Sequence, residues 1–162
     1  MRGLVAIAVL VGCAGLSAAQ EKYESKEGRY SVKFPDKPST VTKKANDADV
    51  VTALAKKGDA AYLVTYSDLP AATVKNAKPK DLLVKGETAL VARQKAKLLD
   101  SKDLEVGKHP GRLVLAEREN GHLRVLIVLA GNRVYQVVAT GPKSAVSGPE
   151  GDAFFESFTV AK

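Results

Sequence analysis

The sequence predicts an α+β domain, a meander-rich antiparallel sheet flanked by helices on both faces, and three observations carry that prediction. The stretch from Leu113 to Val138 reads as a three-stranded meander that is apolar on both faces. The stretch from Pro79 to Lys97 carries apolar residues at helical spacing, and a short aromatic segment, Phe154, Phe155 and Phe158, closes the chain. An antiparallel sheet with one side in water alternates apolar with polar residues, so a sheet apolar on both sides must be covered twice. At 162 residues, 45% hydrophobic and 27% charged, the chain has the size and composition of one such domain.

Strand and turn signals begin at Tyr23. Tyr23 to Ser25 and Tyr30 to Phe34 flank a turn at Glu27-Gly28 and form a short hairpin, ended by Pro35 and Pro38, neither of which can donate to a ladder. Thr40 to Lys44 is extended, Asn46-Asp47-Ala48-Asp49 turns the chain, and Val50 to Lys56 resumes a strand. Gly58-Asp59 then closes a second hairpin onto Ala60 to Tyr66.

Leu69-Pro70 ends that strand, and Lys75 to Lys80 is a basic connector. Pro79 suits a first helical turn, and Asp81 places negative charge where the helix dipole favours it. Leu82, Leu83, Gly86, Ala89, Leu90 and Ala96 follow at helical spacing. The expected helix runs from Pro79 to Lys97, about five turns, with Lys85, Glu87, Arg93 and Lys95 facing mainly outward.

The meander can be registered from its turns. Asn120-Gly121 is the dipeptide that a two-residue type I′ turn prefers, and it sets Glu119 opposite His122, Glu117 opposite Arg124, Leu115 opposite Leu126 and Leu113 opposite Val128. Gly131-Asn132 pairs Val128 with Tyr135 and Leu126 with Val137. One face then carries Leu113, Leu115, Leu126, Val128, Tyr135 and Val137; the other carries Val114, Ala116, Leu123, Val125, Ile127, Leu129, Val134 and Val138. The helix is expected to cover one face. A second short helix, started by Pro149-Glu150-Gly151-Asp152 and holding Phe154 and Phe155, is expected on the other before Phe158-Thr159-Val160 ends the chain extended.

The first residues stand apart from this domain. Arg2 precedes an apolar run from Leu4 to Leu16 and then Ser17-Ala18-Ala19, the arrangement of a secretory signal peptide, too short for a membrane span of about 20 residues. Cleavage after Ala19 gives a domain of residues 20–162; Leu10-Val11-Gly12-Cys13 also resembles a lipobox, in which residues 1–12 are removed and Cys13 is lipidated. The chain is therefore expected to be exported, periplasmic or secreted, with contact to membrane only if it is anchored through Cys13. No other cysteine exists, which excludes a disulfide framework and thiolate chemistry in the domain.

Basic residues number 25 against 18 acidic, and Arg2 aside they are spread thinly, as on a solvated surface. Export and the few aromatics among the charges argue against nucleic acid as a partner. There is no G-x-S-x-G elbow, no phosphate-cradling glycine motif and no calcium-loop pattern after Asn46, so the sequence assigns no catalytic residue, metal or cofactor. His122 is explained by a cross-strand pair with glutamate. Gly107-Lys108-His109-Pro110-Gly111-Arg112 reads as a Pro-Gly bend before a core strand; the alternative is a small-ligand binder or enzyme in which Lys108, His109 and Arg112 form an anion site for a carboxylate or phosphate.

Several stretches resemble PsbP-like proteins and related small bacterial lipoproteins and periplasmic domains of unknown function. They are Gly28-Arg29-Tyr30-Ser31-Val32-Lys33-Phe34-Pro35, Tyr66-Ser67-Asp68-Leu69-Pro70, the long helix, Gly107 to Arg112, Arg133-Val134-Tyr135-Gln136 and Phe154-Phe155-Glu156-Ser157-Phe158. The resemblance implies an antiparallel sheet flanked by helices and a non-catalytic accessory or binding role toward a protein or envelope component. In photosynthetic members that role is support of a membrane complex that evolves oxygen. The matching positions are turn formers and core residues, so the resemblance assigns no site residue. A monomer is expected.

Overall fold

Two antiparallel sheets, one laid on the other, make the frame of the computed structural model, which describes residues 22–45 and 48–161. The expected leader, with both of its cleavage alternatives and Cys13, lies outside those residues, as do Asn46 and Asp47. In chain order the elements are β1 (Lys22–Ser25), β2 (Tyr30–Lys33), β3 (Ser39–Ala45), β4 (Ala48–Lys57), β5 (Ala60–Asp68), α1 (Ala71–Lys75), α2 (Pro79–Arg93), β6 (Lys97–Val106), β7 (His109–Arg118), β8 (Gly121–Ala130), β9 (Arg133–Gly141), α3 (Lys143–Ser147), α4 (Pro149–Glu156) and β10 (Thr159–Val160). The larger sheet has the order β3-β4-β5-β9-β8-β7-β6 and the smaller β1-β2-β10.

The meander faces are those the alternation predicts. Val114, Ala116, Leu123, Val125, Ile127 and Leu129 form one buried cluster with Leu83 and Leu90 of α2, and Val134 and Val138 pack against it. Burying each of those leucines is worth about 1.5–3 kcal/mol, far more than helix propensity supplies. Leu126, Val128, Tyr135 and Val137 belong to the other cluster, with Leu113 and Leu115 packed at its margin. Helices alone do not roof this second face. Val146 of α3 and Phe154 and Phe155 of α4 contribute, but Tyr30 and Val32 of the small sheet sit in the same cluster. Aromatic rings knit the layers together, with Tyr30 6.0 Å from Tyr135, Tyr135 5.6 Å from Phe158, and Tyr62 5.2 Å from Phe154.

Three elements correct the sequence expectation. The β7–β8 turn is Glu119-Asn120, not Asn120-Gly121, so Glu117 faces His122, Leu115 faces Arg124 and Leu113 faces Leu126. Gly121 is needed elsewhere: at φ +127° it opens β8 so close to Gly141 that a Cβ would stand 2.7 Å from the Gly141 carbonyl oxygen. The slip is by two residues, an even number, so every side chain keeps its face. The β8–β9 register matches the expectation, with Val128 opposite Tyr135 and Leu126 opposite Val137.

The helix ends at Arg93 rather than Lys97. Lys95 takes a left-handed φ of +48°, Ala96 donates its N–H to the Val91 carbonyl at 3.0 Å and Lys95 donates to Ala92 at 3.1 Å, the two bonds of a Schellman stop. Glycine commonly marks that position in a sequence, and here a lysine occupies it. The chain then runs straight into β6, an edge strand that no apolar alternation announces: Leu98 and Leu99 are exposed beside a bulge, and most other positions are charged.

Candidate functional site

The end of the large sheet where β5 finishes and β9 begins is clamped to the small sheet by one arginine. Register sets Asp68 opposite Arg133, and Arg133 grips it with two bonds, Nε to Oδ1 at 2.7 Å and Nη2 to Oδ2 at 2.8 Å. Its remaining Nη1 donates to the Glu27 carbonyl at 2.7 Å, and its plane lies 4.8 Å over the Tyr66 ring. Beside it the buried Tyr135 hydroxyl donates to the Gly28 carbonyl at 2.7 Å. The β1–β2 turn is thus pinned over the open end of the sheet.

Below this turn lies an open cleft of about 730 Å³. Val106, Ala130, Tyr135, Phe158 and Val160 give it an apolar lining, and Arg29, Lys108, His109 and the Asp68–Arg133 pair supply its polar groups. Arg29 is held at φ +51°, a left-handed backbone that costs a non-glycine residue about 1–2 kcal/mol, and its carbonyl accepts the Ala161 N–H at 2.8 Å. Asp68 is the sole acid among the lining residues. Its hydrogen bonds from Arg133 hold its carboxyl below the ordinary range, with the charge of Arg29 adding to the effect. The cleft therefore carries excess positive charge, from Arg29 and Lys108, over an apolar base.

The structure splits the triplet that the sequence grouped as an anion site. Lys108 and His109 line the cleft. Arg112 does not: it lies on the α2 side of β7, where its Nε donates to Glu87 of α2, its Nη1 to Asp103 and its Nη2 to Ser101 at 2.9 Å. The physical reason is the position of the reversal. Gly107, at φ +62°, and Lys108 form the β6–β7 turn, so His109, Pro110 and Gly111 are already strand and alternate faces. Glu87, expected on the outer side of its helix, is buried toward the sheet by the same contact and shares the inner stripe with Leu83 and Leu90. His122 faces Glu117, while Arg124 pairs with Asp152 at 2.5 Å and covers the Phe155 ring rather than neutralising Glu117.

Arg29, Asp68 and Arg133 are the cleft residues that sequence reasoning missed. Asp68 and Arg133 are 65 residues apart, and nothing local couples them. The available signal was positional: each is the charged end of an otherwise apolar strand beside a turn. Among the described residues no group of three His, Cys, Asp or Glu side chains converges as a metal site would require, and no helix is long and apolar enough to cross a membrane.

No protein-family model matches the chain, and no curated protein matches it in sequence. In three dimensions its two antiparallel sheets and four helices form a PsbP-like fold. The solution structure of cyanobacterial PsbP from Synechocystis sp. PCC 6803 matches it with a TM-score of 0.63 and 14% identity, over 93% of this chain and 98% of that one. A Pseudomonas aeruginosa protein of unknown function, described as a putative regulator, matches with a TM-score of 0.44 and 15% identity over 70% of this chain and 90% of its own. The likeness is one of fold.

Proposed function

We propose that this chain is an exported, non-catalytic accessory or binding module that holds a protein or cell-envelope component at one end of its large sheet. The observation that carries this reading is the cleft itself: an apolar base with the cations Arg29 and Lys108 at its edge, framed by rigid hairpin turns and clamped by Arg133. Recognition residues on turns held by a stiff scaffold are a recurrent arrangement for binding. The leader supports export, and the mass of the mature N-terminus distinguishes a soluble product beginning at Gln20 from one lipidated at Cys13.

The test is affinity capture from the envelope fraction of the native host with the full chain and with its Arg29→Glu/Lys108→Glu variant. Recovery of one defined partner by the parent, lost with the variant at unchanged melting temperature, is the expected result. Recovery of no partner, or equal recovery by both, overturns the reading.

A further inference from the structure

Building on the binding-module reading, we propose that the cleft takes an extended peptide segment bearing a carboxylate, which pairs with the free edge of β10 while Lys108 and Arg29 hold its charge. The first argument is register. β10 is the outer strand of the small sheet, with Thr159 opposite Ser31 and Val160 opposite Tyr30. Ala161 donates its N–H to Arg29 on the β2 side. Antiparallel ladders turn alternate residues toward the partner strand, so if Ala161 bonds inward, as Thr159 does in the same register, the N–H and C=O of Val160 point outward. Val160 lines the cleft, and its outward groups form an edge onto which an extended chain can add.

The second argument is charge. Among the described residues neither Arg29 nor Lys108 enters an ion pair, and the one acid of the lining, Asp68, is already held by Arg133. Two cations beside an apolar lining suit a single carboxylate flanked by apolar side chains, and the lining offers too little charge for a polyanion. The third is strain. A left-handed arginine at the edge of a cleft is a costly choice for a turn that glycine or asparagine would close at lower energy, and such strain concentrates at binding sites.

The experiment is selection of the full chain against two pools of random octapeptides, one with free and one with amidated C-termini. Enrichment of Asp- or Glu-bearing peptides from both pools identifies a side-chain carboxylate, and enrichment from the free pool alone identifies the chain terminus; either supports the proposal. Affinity for the enriched peptide is then expected to fall at least tenfold with Lys108→Glu, a substitution in an exposed turn. Amide exchange at Val160 is expected to slow at least tenfold when the peptide binds the parent chain. Val160→Pro, which removes the outward N–H, is expected to weaken binding at least as much, and Val160→Ala, which trims the side chain packed at the core margin but keeps that N–H, is expected to weaken it less. Enrichment from neither pool, or peptides that bind Lys108→Glu as well as the parent and leave Val160 exchange unchanged, overturns the proposal. If that happens while a host partner is still captured in a Lys108-dependent manner, the binding-module reading stands and only the peptide mode falls; if capture fails too, both fall.

Discussion

Glu87 of α2 and Arg112 of β7 form a nearly buried ion pair that fastens the long helix to the sheet, with 9% and 14% of their side chains exposed. Removing one partner strands the other charge. Arg112→Leu is expected to lower stability by about 3–5 kcal/mol, while the double variant Glu87→Leu/Arg112→Leu recovers most of the loss. Urea unfolding of the parent, Arg112→Leu, Glu87→Leu and the double variant, read as a double-mutant cycle, measures this coupling; independent additive losses would refute the account.

Two neighbouring tyrosines should respond unequally to loss of the hydroxyl. Tyr135 donates to the Gly28 carbonyl inside the structure, so Tyr135→Phe leaves that acceptor unpaired and is expected to cost about 1–3 kcal/mol. The buried Tyr66 hydroxyl has no hydrogen-bond partner among the described residues, so Tyr66→Phe is expected to be neutral or stabilising. Thermal melts of the two variants beside the parent decide the matter.

Stability should fall at both ends of the pH scale. Arg133 holds the Asp68 carboxyl below its ordinary 3.8; burial pushes the Glu150 carboxyl up, but bonds from Lys57 and Tyr62 outweigh that and hold it below its ordinary 4.5. A depressed carboxyl contributes stability that is complete above its unfolded value and is lost as pH falls through its folded one. The melting temperature should therefore begin to fall below about pH 4.5, and Asp68→Asn should flatten part of that fall. Burial pushes the hydroxyls of Tyr30, Tyr62, Tyr66 and Tyr135 above their ordinary 10.0. Their contribution is complete below pH 10 and lost above it, so tyrosinate absorbance should rise together with unfolding rather than ahead of it.

Gly121 and Gly131 both open the route to a strand, yet replacing them should have unequal effects. A Cβ on Gly121 meets the Gly141 carbonyl oxygen at 2.7 Å, whereas one on Gly131 meets nothing within 4 Å. Gly131→Ala is expected to cost only its left-handed backbone, about 1–2 kcal/mol. Gly121→Ala must in addition part β8 from β9, and a loss no larger than that of Gly131→Ala would contradict the close approach.

Much of the frame was legible because alternation is a local signal. The two meander faces, the first hairpin and the C-terminal helix with its phenylalanines were all readable from residues within a few positions of one another. The β7–β8 turn was misplaced by one position, and its effect on pairing by two, because Asn120-Gly121 advertises a turn whose glycine serves a contact with Gly141 instead. β6 was invisible because an exposed edge strand buries too little to impose a pattern. Of the cleft, Lys108 and His109 were found because they flank a bend, and Arg112 was grouped with them because sequence proximity does not show which face a strand residue takes. Asp68 and Arg133 meet only once β5 and β9 pair, a contact no window of sequence contains.

That β5–β9 pairing also governs where the molecule can grow. The chain between the paired strands passes through α1, which buries no residue. Since each doubling of a flexible loop costs only about 0.6 kcal/mol in closure entropy, residues 71–78 form a tether that can be lengthened, or made to carry a grafted tag or whole guest domain, while the frame beneath stays intact.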